Sequence, residues 1–178
     1  MKKYISFVWM AVALCLGFVS CDVETDEKPG GTNVQKMAGR WEVTLDIVDE
    51  NGDVLAEDPF GFGVFEIQTY NTADNSPSLM WLDDLKNFWA FKFKVNVNYQ
   101  ARTFSAEETD YDADGSGKAI VKNGKVLEGA AKNLHGMPND SIVFDIAFSD
   151  DDEDGDRVAD PYCYTYRLSG QRYTGFYE

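Results

Sequence analysis

Hydrolytic chemistry needs a nucleophile, a base and a third group that orients the base. The chain has a single histidine from which to build such a centre. His135 lies in Asn133-Leu134-His135-Gly136-Met137-Pro138, a Gly/Pro-flanked loop, with Asp140 and Ser141 just downstream. The sequence has no Gly-x-Ser-x-Gly elbow, and Gly115-Ser116-Gly117 is too short to stand for one. Asp140 and Ser141 are read as turn and strand-start residues, His135 as a loop histidine, and no catalytic residue is assigned.

Two acidic loops carry a second chemistry. Asp150 to Asp156 and Asp110 to Gly115 each contain Asp-x-Asp-x-Asp-Gly, a spacing at which alternate oxygens converge on a hard cation in calcium loops. The position of the closing bidentate Glu is Pro161 in one and Val121 in the other, and neither loop is flanked by helical patterns. Both are read as solvated hairpin tips whose charge discourages edge-to-edge association, with no metal and no cofactor expected.

Rings supply the third possibility. The chain holds 12 Phe, 9 Tyr and 4 Trp, most of which a β-core must absorb. Rings at an open barrel mouth would hold an apolar tail. Exposed Trp81, Trp89, Tyr70 or Tyr99 would instead stack on sugar rings.

The elements that must position these groups have period two. Trp89, Phe91, Phe93, Val95, Val97 and Tyr99 share one face of a long strand whose other face carries Lys92, Lys94, Asn96 and Asn98. Trp41, Val43, Leu45 and Ile47 alternate with Glu42, Thr44 and Asp46. Ile142, Phe144, Ile146 and Phe148 make another set, Tyr162 to Leu168 a further one, and Arg172 to Tyr177 a short closing strand. Cys163 falls within an aromatic strand pattern. Asn123-Gly124 predicts a type I′ hairpin joining 119–122 to 125–130, and Ser169-Gly170 a further turn. Trp81 to Leu85 allows one helical turn. About eight to ten short antiparallel strands in one chain point to an all-β barrel. Gly39-Arg40-Trp41 opens the first strand, and a late arginine, Arg172, is placed over the Trp41 indole to close one end.

Ahead of the barrel stands an address. Met1-Lys2-Lys3, the apolar stretch Tyr4 to Val19, and Phe18-Val19-Ser20-Cys21 look like a bacterial lipoprotein signal (residues 1–20) with Cys21 as the lipidated residue. Residues 21–36 are acidic and turn-rich, read as a flexible tether, and 37–178 as the barrel domain. With Cys15 removed and Cys21 acylated, Cys163 has no intrachain partner for a disulfide. The expected location is the outer membrane of the cell envelope, on its surface. A net charge of −15 argues against nucleic acid, and the membrane is reached through the lipid anchor alone.

Met37-Ala-Gly-Arg-Trp41, Thr69-Tyr-Asn-Thr72, Leu79-Met-Trp-Leu-Asp-Asp84, Phe88-Trp-Ala-Phe-Lys92, Asn123-Gly-Lys-Val126, Asp140-Ser-Ile-Val-Phe144 and Gly170-Gln-Arg-Tyr-Thr-Gly-Phe176 together resemble the lipid-binding putative hydrolase family of calycin-like bacterial lipoproteins. The resemblance implies a lipocalin-like barrel on a lipid anchor. It carries no established catalytic motif to transfer. The expected function is non-catalytic binding of a small apolar or amphipathic ligand inside the barrel, with Phe65, Ile67, Trp89, Phe91, Phe93, Phe144 and Ile146 as candidate contacts. The alternative is a surface interaction or glycan-binding module beside an outer-membrane nutrient-uptake system, and a hydrolase stands third.

Overall fold

The computed structural model describes residues 30–175 apart from 113, 116, 134 and 153; the signal segment and Cys21 lie outside the described residues. Among the described residues nine strands follow one another: β1 (Gly39–Val48), β2 (Val54–Glu57), β3 (Phe65–Asn71), β4 (Leu79–Asp83), β5 (Lys92–Asn98), β6 (Thr103–Asp110), β7 (Lys118–Lys132), β8 (Pro138–Phe148) and β9 (Thr165–Arg172). All pairings are antiparallel, each strand from β3 to β9 pairs with the next, and β9 returns to β1. The result is a closed eight-stranded barrel in which β2 is an extra hairpin strand on the far half of β1, beyond the stretch paired with β3. Alternation places Trp41, Val43, Leu45, Ile67, Leu82, Phe93, Val95, Phe144, Ile146 and Leu168 inside as one buried core.

Several local expectations are corrected. Asn123-Gly124 makes no hairpin but sits inside the continuous fifteen-residue β7. There Val121 faces Ala106 and Gly124 faces Phe104, so three steps on β7 span two on β6, the signature of a β-bulge. Asn123 takes the positive φ of 55° that the bulge needs, and its amide donates to Asp145 Oδ2 at 2.7 Å. Ser169-Gly170 is likewise mid-strand. A Cβ at Gly170 would meet the Glu42 carbonyl oxygen at 1.9 Å, so the glycine serves close approach of β9 to β1. The expected strands from Tyr162 and from Arg172 are thus replaced by one, β9, which runs from Thr165 to Arg172; 173–175 are not strand, and the rest of the expected closing strand, from 176, lies outside the described residues. Trp81 to Asp83 belong to β4 in place of a helical turn, and the long strand predicted from Trp89 starts at Lys92. Cys163 lies in the turn before β9 and is half-buried.

The barrel wall is tied across this seam by Asp145. Its carboxylate receives Arg167 Nε at 2.7 Å and Nη2 at 3.0 Å, while Arg167 Nη1 reaches the Gly52 carbonyl at 2.8 Å. Burial alone would raise the Asp145 pKa; the Arg167 and Asn123 hydrogen bonds and the guanidinium charge outweigh it and hold the group below the usual carboxylate range.

One end of the barrel is stoppered. Residues Thr32 to Lys36, at the end of the stretch read as tether, fold with Met37 and Ala38 into a turn with Met37 N–H on the Val34 carbonyl at 2.8 Å, and Val34 and Met37 are buried. Trp41 Nε1 donates to Thr69 Oγ1 at 2.8 Å, and that hydroxyl donates to the Met37 carbonyl at 2.6 Å. Above the indole lies Arg172, its guanidinium carbon 4.3 Å from the ring centroid. Arg172 also donates to the Ala38 carbonyl, to Lys36 O at 3.0 Å and to Asp140 Oδ2 at 3.2 Å. Gly39, the first residue of β1, leaves room for it: a Cβ there would come within 2.3 Å of Arg172 Nη1.

Removing this cap strands two carbonyls and bares the indole. Arg172→Ala is expected to destabilise the barrel by about 2–4 kcal/mol, lowering Tm by about 5–12 °C in a thermal melt. Arg172→Lys should recover only part of the loss, because an ammonium cannot reproduce the planar fork.

Candidate functional site

The opposite end of the barrel is built from the β2–β3 loop, the β4–β5 loop, the end of β8 and the start of β9. Here the aromatic core runs out into solvent. Phe88 is the hub, 5.2–6.4 Å between ring centroids from Tyr166, Trp89, Phe148, Phe62, Phe60 and Phe65. Trp89 lies flat on Phe148 at 4.4 Å with planes 3° apart. Phe60 and Phe62 are 50% and 43% exposed, and Val64 next to them is 67% exposed. Neighbouring rings thus form one apolar cluster that runs from the core to the surface.

Carboxylates hold both ring-bearing loops of this mouth and two of its phenols. Asp84, fully buried, accepts the backbone N–H groups of Lys86, Phe88, Trp89 and Ala90 at 2.8–3.1 Å. That cradle lets Leu85, Lys86 and Ala90 stay at positive φ (56°, 66° and 58°), an unfavourable backbone for residues with a Cβ, and so presents Phe88 and Trp89 inward. Asp58 holds the β2–β3 loop the same way, accepting from Phe62 N at 2.8 Å and Gly63 N at 2.9 Å. Asp151, 3% exposed, takes the Tyr166 hydroxyl at 2.9 and 3.0 Å. The exposed Asp150 takes the Tyr111 hydroxyl at 2.6 Å and faces Trp89 Nε1 at 3.4 Å. Burial first, then the hydrogen bond to a carboxylate, pushes both phenols well above their ordinary pKa. Tyr111 and Tyr166 therefore act as fixed donors, not as acids or bases.

The candidate contacts divide into two groups. Phe65 and Trp89 are half-buried at the mouth, while Ile67, Phe91, Phe93, Phe144 and Ile146 are buried in the core behind it. Phe60, Phe62 and Phe88 were missed in the sequence because none falls on an alternating strand; the exposed Phe60-Gly-Phe62 loop was the available signal.

The other sequence features fall elsewhere. His135 is exposed on the β7–β8 turn, and Asp140 is engaged by Gly129 N at 3.0 Å and by Arg172. Asp152, Asp154 and Asp156 bring carboxylate oxygens within 4.8 Å of one another. Their oxygens accept Gly155, Arg157, Asp156 and Val158 amides of the same loop. Tyr70 and Trp81 stack on the outer wall at 6.4 Å, with Lys94 Nζ 5.2 Å from the Trp81 centroid.

Because one buried carboxylate closes the Phe88–Trp89 loop, Asp84→Ala should leave four amides without that partner. The expected cost is about 2–4 kcal/mol, and Trp89 emission should shift to the red in fluorescence as the loop loosens.

Comparison with known proteins yields no match among the curated ones. The sequence pattern of the family described as lipid-binding putative hydrolase matches residues 26–177, most of the chain, and the protein belongs to that family.

Proposed function

We propose that this protein is a non-catalytic, envelope-anchored carrier that takes a small apolar or amphipathic ligand at the aromatic mouth of its barrel. The carrying observation is the exposure of Phe60 and Phe62 within a ring cluster continuous with the core. A tail laid against these rings would be buried, and apolar burial supplies affinity while a few polar groups set orientation. Phe65 and Trp89 would meet the tail at the mouth, with Phe91, Ile67, Phe93, Phe144 and Ile146 forming the buried core behind them. Membership of a lipid-binding family and the closed barrel support the reading. The lipobox-like Phe18-Val19-Ser20-Cys21 supports anchoring at Cys21, and the acidic residues after it support surface placement.

A second reading, a glycan-binding surface module, is favoured by the outward Tyr70–Trp81 pair, whose rings and flanking Lys92 and Lys94 suit stacking on a sugar.

Native mass spectrometry of a soluble form starting after Cys21, before and after incubation with alkyl amphiphiles, tests the carrier. A one-to-one adduct is expected, and Phe60→Ser/Phe62→Ser should weaken it about tenfold or more while the barrel stays folded by circular dichroism at the binding temperature. An unchanged apo mass, with oligosaccharides quenching tryptophan emission instead, would move the assignment to the glycan reading. For the anchor, cells fed labelled palmitate should label the wild type, and Cys21→Ser should lose the label and leave the membrane fraction.

A further inference from the structure

The mouth described above has a charge as well as a shape. Carboxylates stand among its rings: Asp150 beside Trp89 and Tyr111, Asp151 under Tyr166, and Asp84 and Asp58 on the backbone of the two ring-bearing loops. Beyond Asp150 the chain continues into Asp152, Asp154 and Asp156, whose carboxylates crowd together. Among the described residues, four cations share this end with the seven aspartates just named: Lys86 in the β4–β5 loop, Lys92 at the start of β5, Lys118 at the start of β7 and Arg157 within the acidic segment, so the balance there is negative. Lys92 is paired with Asp83 and Lys118 with Glu108, while the cation–ring contacts fall on the outer Tyr70–Trp81 wall and, through Arg40 and Arg172, at the stoppered base.

We infer that the mouth selects amphiphiles with a cationic, ammonium-type head over those with a carboxylate or phosphate head. The inference rests on the carrier reading and specifies its ligand class. Three physical terms favour it. Asp84 and Asp151 are buried and committed to four amides and to the Tyr166 hydroxyl, whereas Asp150, which accepts from Tyr111 and lies 3.4 Å from Trp89 Nε1, is solvent-exposed at the rim. Ring faces carry the negative end of the aromatic quadrupole, and an ammonium near Trp89 or Phe88 is attracted by it as well as by Asp150. An anionic head in the same place would face Asp150 across a few ångströms with the acidic 152–156 segment following it in the chain, and like charges at that range repel. A tail among the phenylalanines and a positive head at Asp150 satisfy the whole site.

Isothermal titration with decyltrimethylammonium, decyl maltoside and decanoate, each below its critical micelle concentration, holds the tail constant and varies the head. The cation is expected to bind about tenfold or more tighter than decanoate at low ionic strength, with the ratio shrinking as salt is added. Asp150→Asn keeps an acceptor oxygen for Tyr111 and should cut that ratio several-fold. Asp156→Asn removes the same unit of charge further along the loop and should leave most of it. Decanoate binding as tightly as the cation would overturn the inference while leaving the carrier intact. So would an undiminished ratio in Asp150→Asn, since the preference would then belong to the net charge of the chain. Failure of all three amphiphiles, decyl maltoside included, would sink the carrier reading itself.

Discussion

Strand β1 has to pair on both sides at once, and the barrel exists only because it can. Its outer half meets the β2 hairpin, its inner half meets β3, and along nearly its full length it meets β9. Such closure brings together segments more than a hundred residues apart and depends on backbone contact at Gly170, where no side chain could fit against Glu42. Once β9 is seated, Arg172 necessarily arrives above Trp41 and fastens the Thr32–Ala38 turn into the base. The seam and the stopper are thus one construction. Closure in this way gives every barrel strand a partner on both sides and leaves short β2 as the terminal strand among the described residues.

At the other end the physics is reversed. The base is closed by a cation over a ring, whereas the mouth is lined by rings whose loops are held on carboxylates. Buried or half-buried aspartates are costly unless hydrogen-bonded, and here each carboxylate is matched to backbone amides or phenol hydroxyls. Their arrangement keeps large apolar side chains in loops, where the hydrophobic effect alone would not fix them. A barrel with one polar, tightly bonded base and one apolar, acid-rimmed mouth is polarised along its axis, which suits a ligand that is itself polarised from tail to head.

Much of this was legible in the residues. Period-two runs on β1, β5 and β8 identify the inward faces, because a half-buried sheet leaves no other solution for Trp41-Val43-Leu45 or Phe144-Ile146-Phe148. The glycines misled for a physical reason. Asn123-Gly124 and Ser169-Gly170 have the local chemistry of turns, yet the neighbours β6, β8 and β1 convert the first into a bulge and the second into a contact point. Local propensity does not report which strand will lie alongside. The mouth was equally hidden: Phe60, Phe62 and Phe88 lie in loops without periodicity, and Asp84 reads as one acidic residue among 31 Asp and Glu.

By itself, then, the amino-acid sequence determined the all-β class, the inward and outward faces of the strands and the acidic balance, since each follows from composition and from spacing within a few residues. The tertiary structure decided which end is sealed and which is apolar, which glycines serve contact, and which aspartates hold aromatic loops. Those properties arise from pairings between distant segments, and the energy of a buried carboxylate or an exposed phenylalanine depends on neighbours that only closure of the barrel supplies.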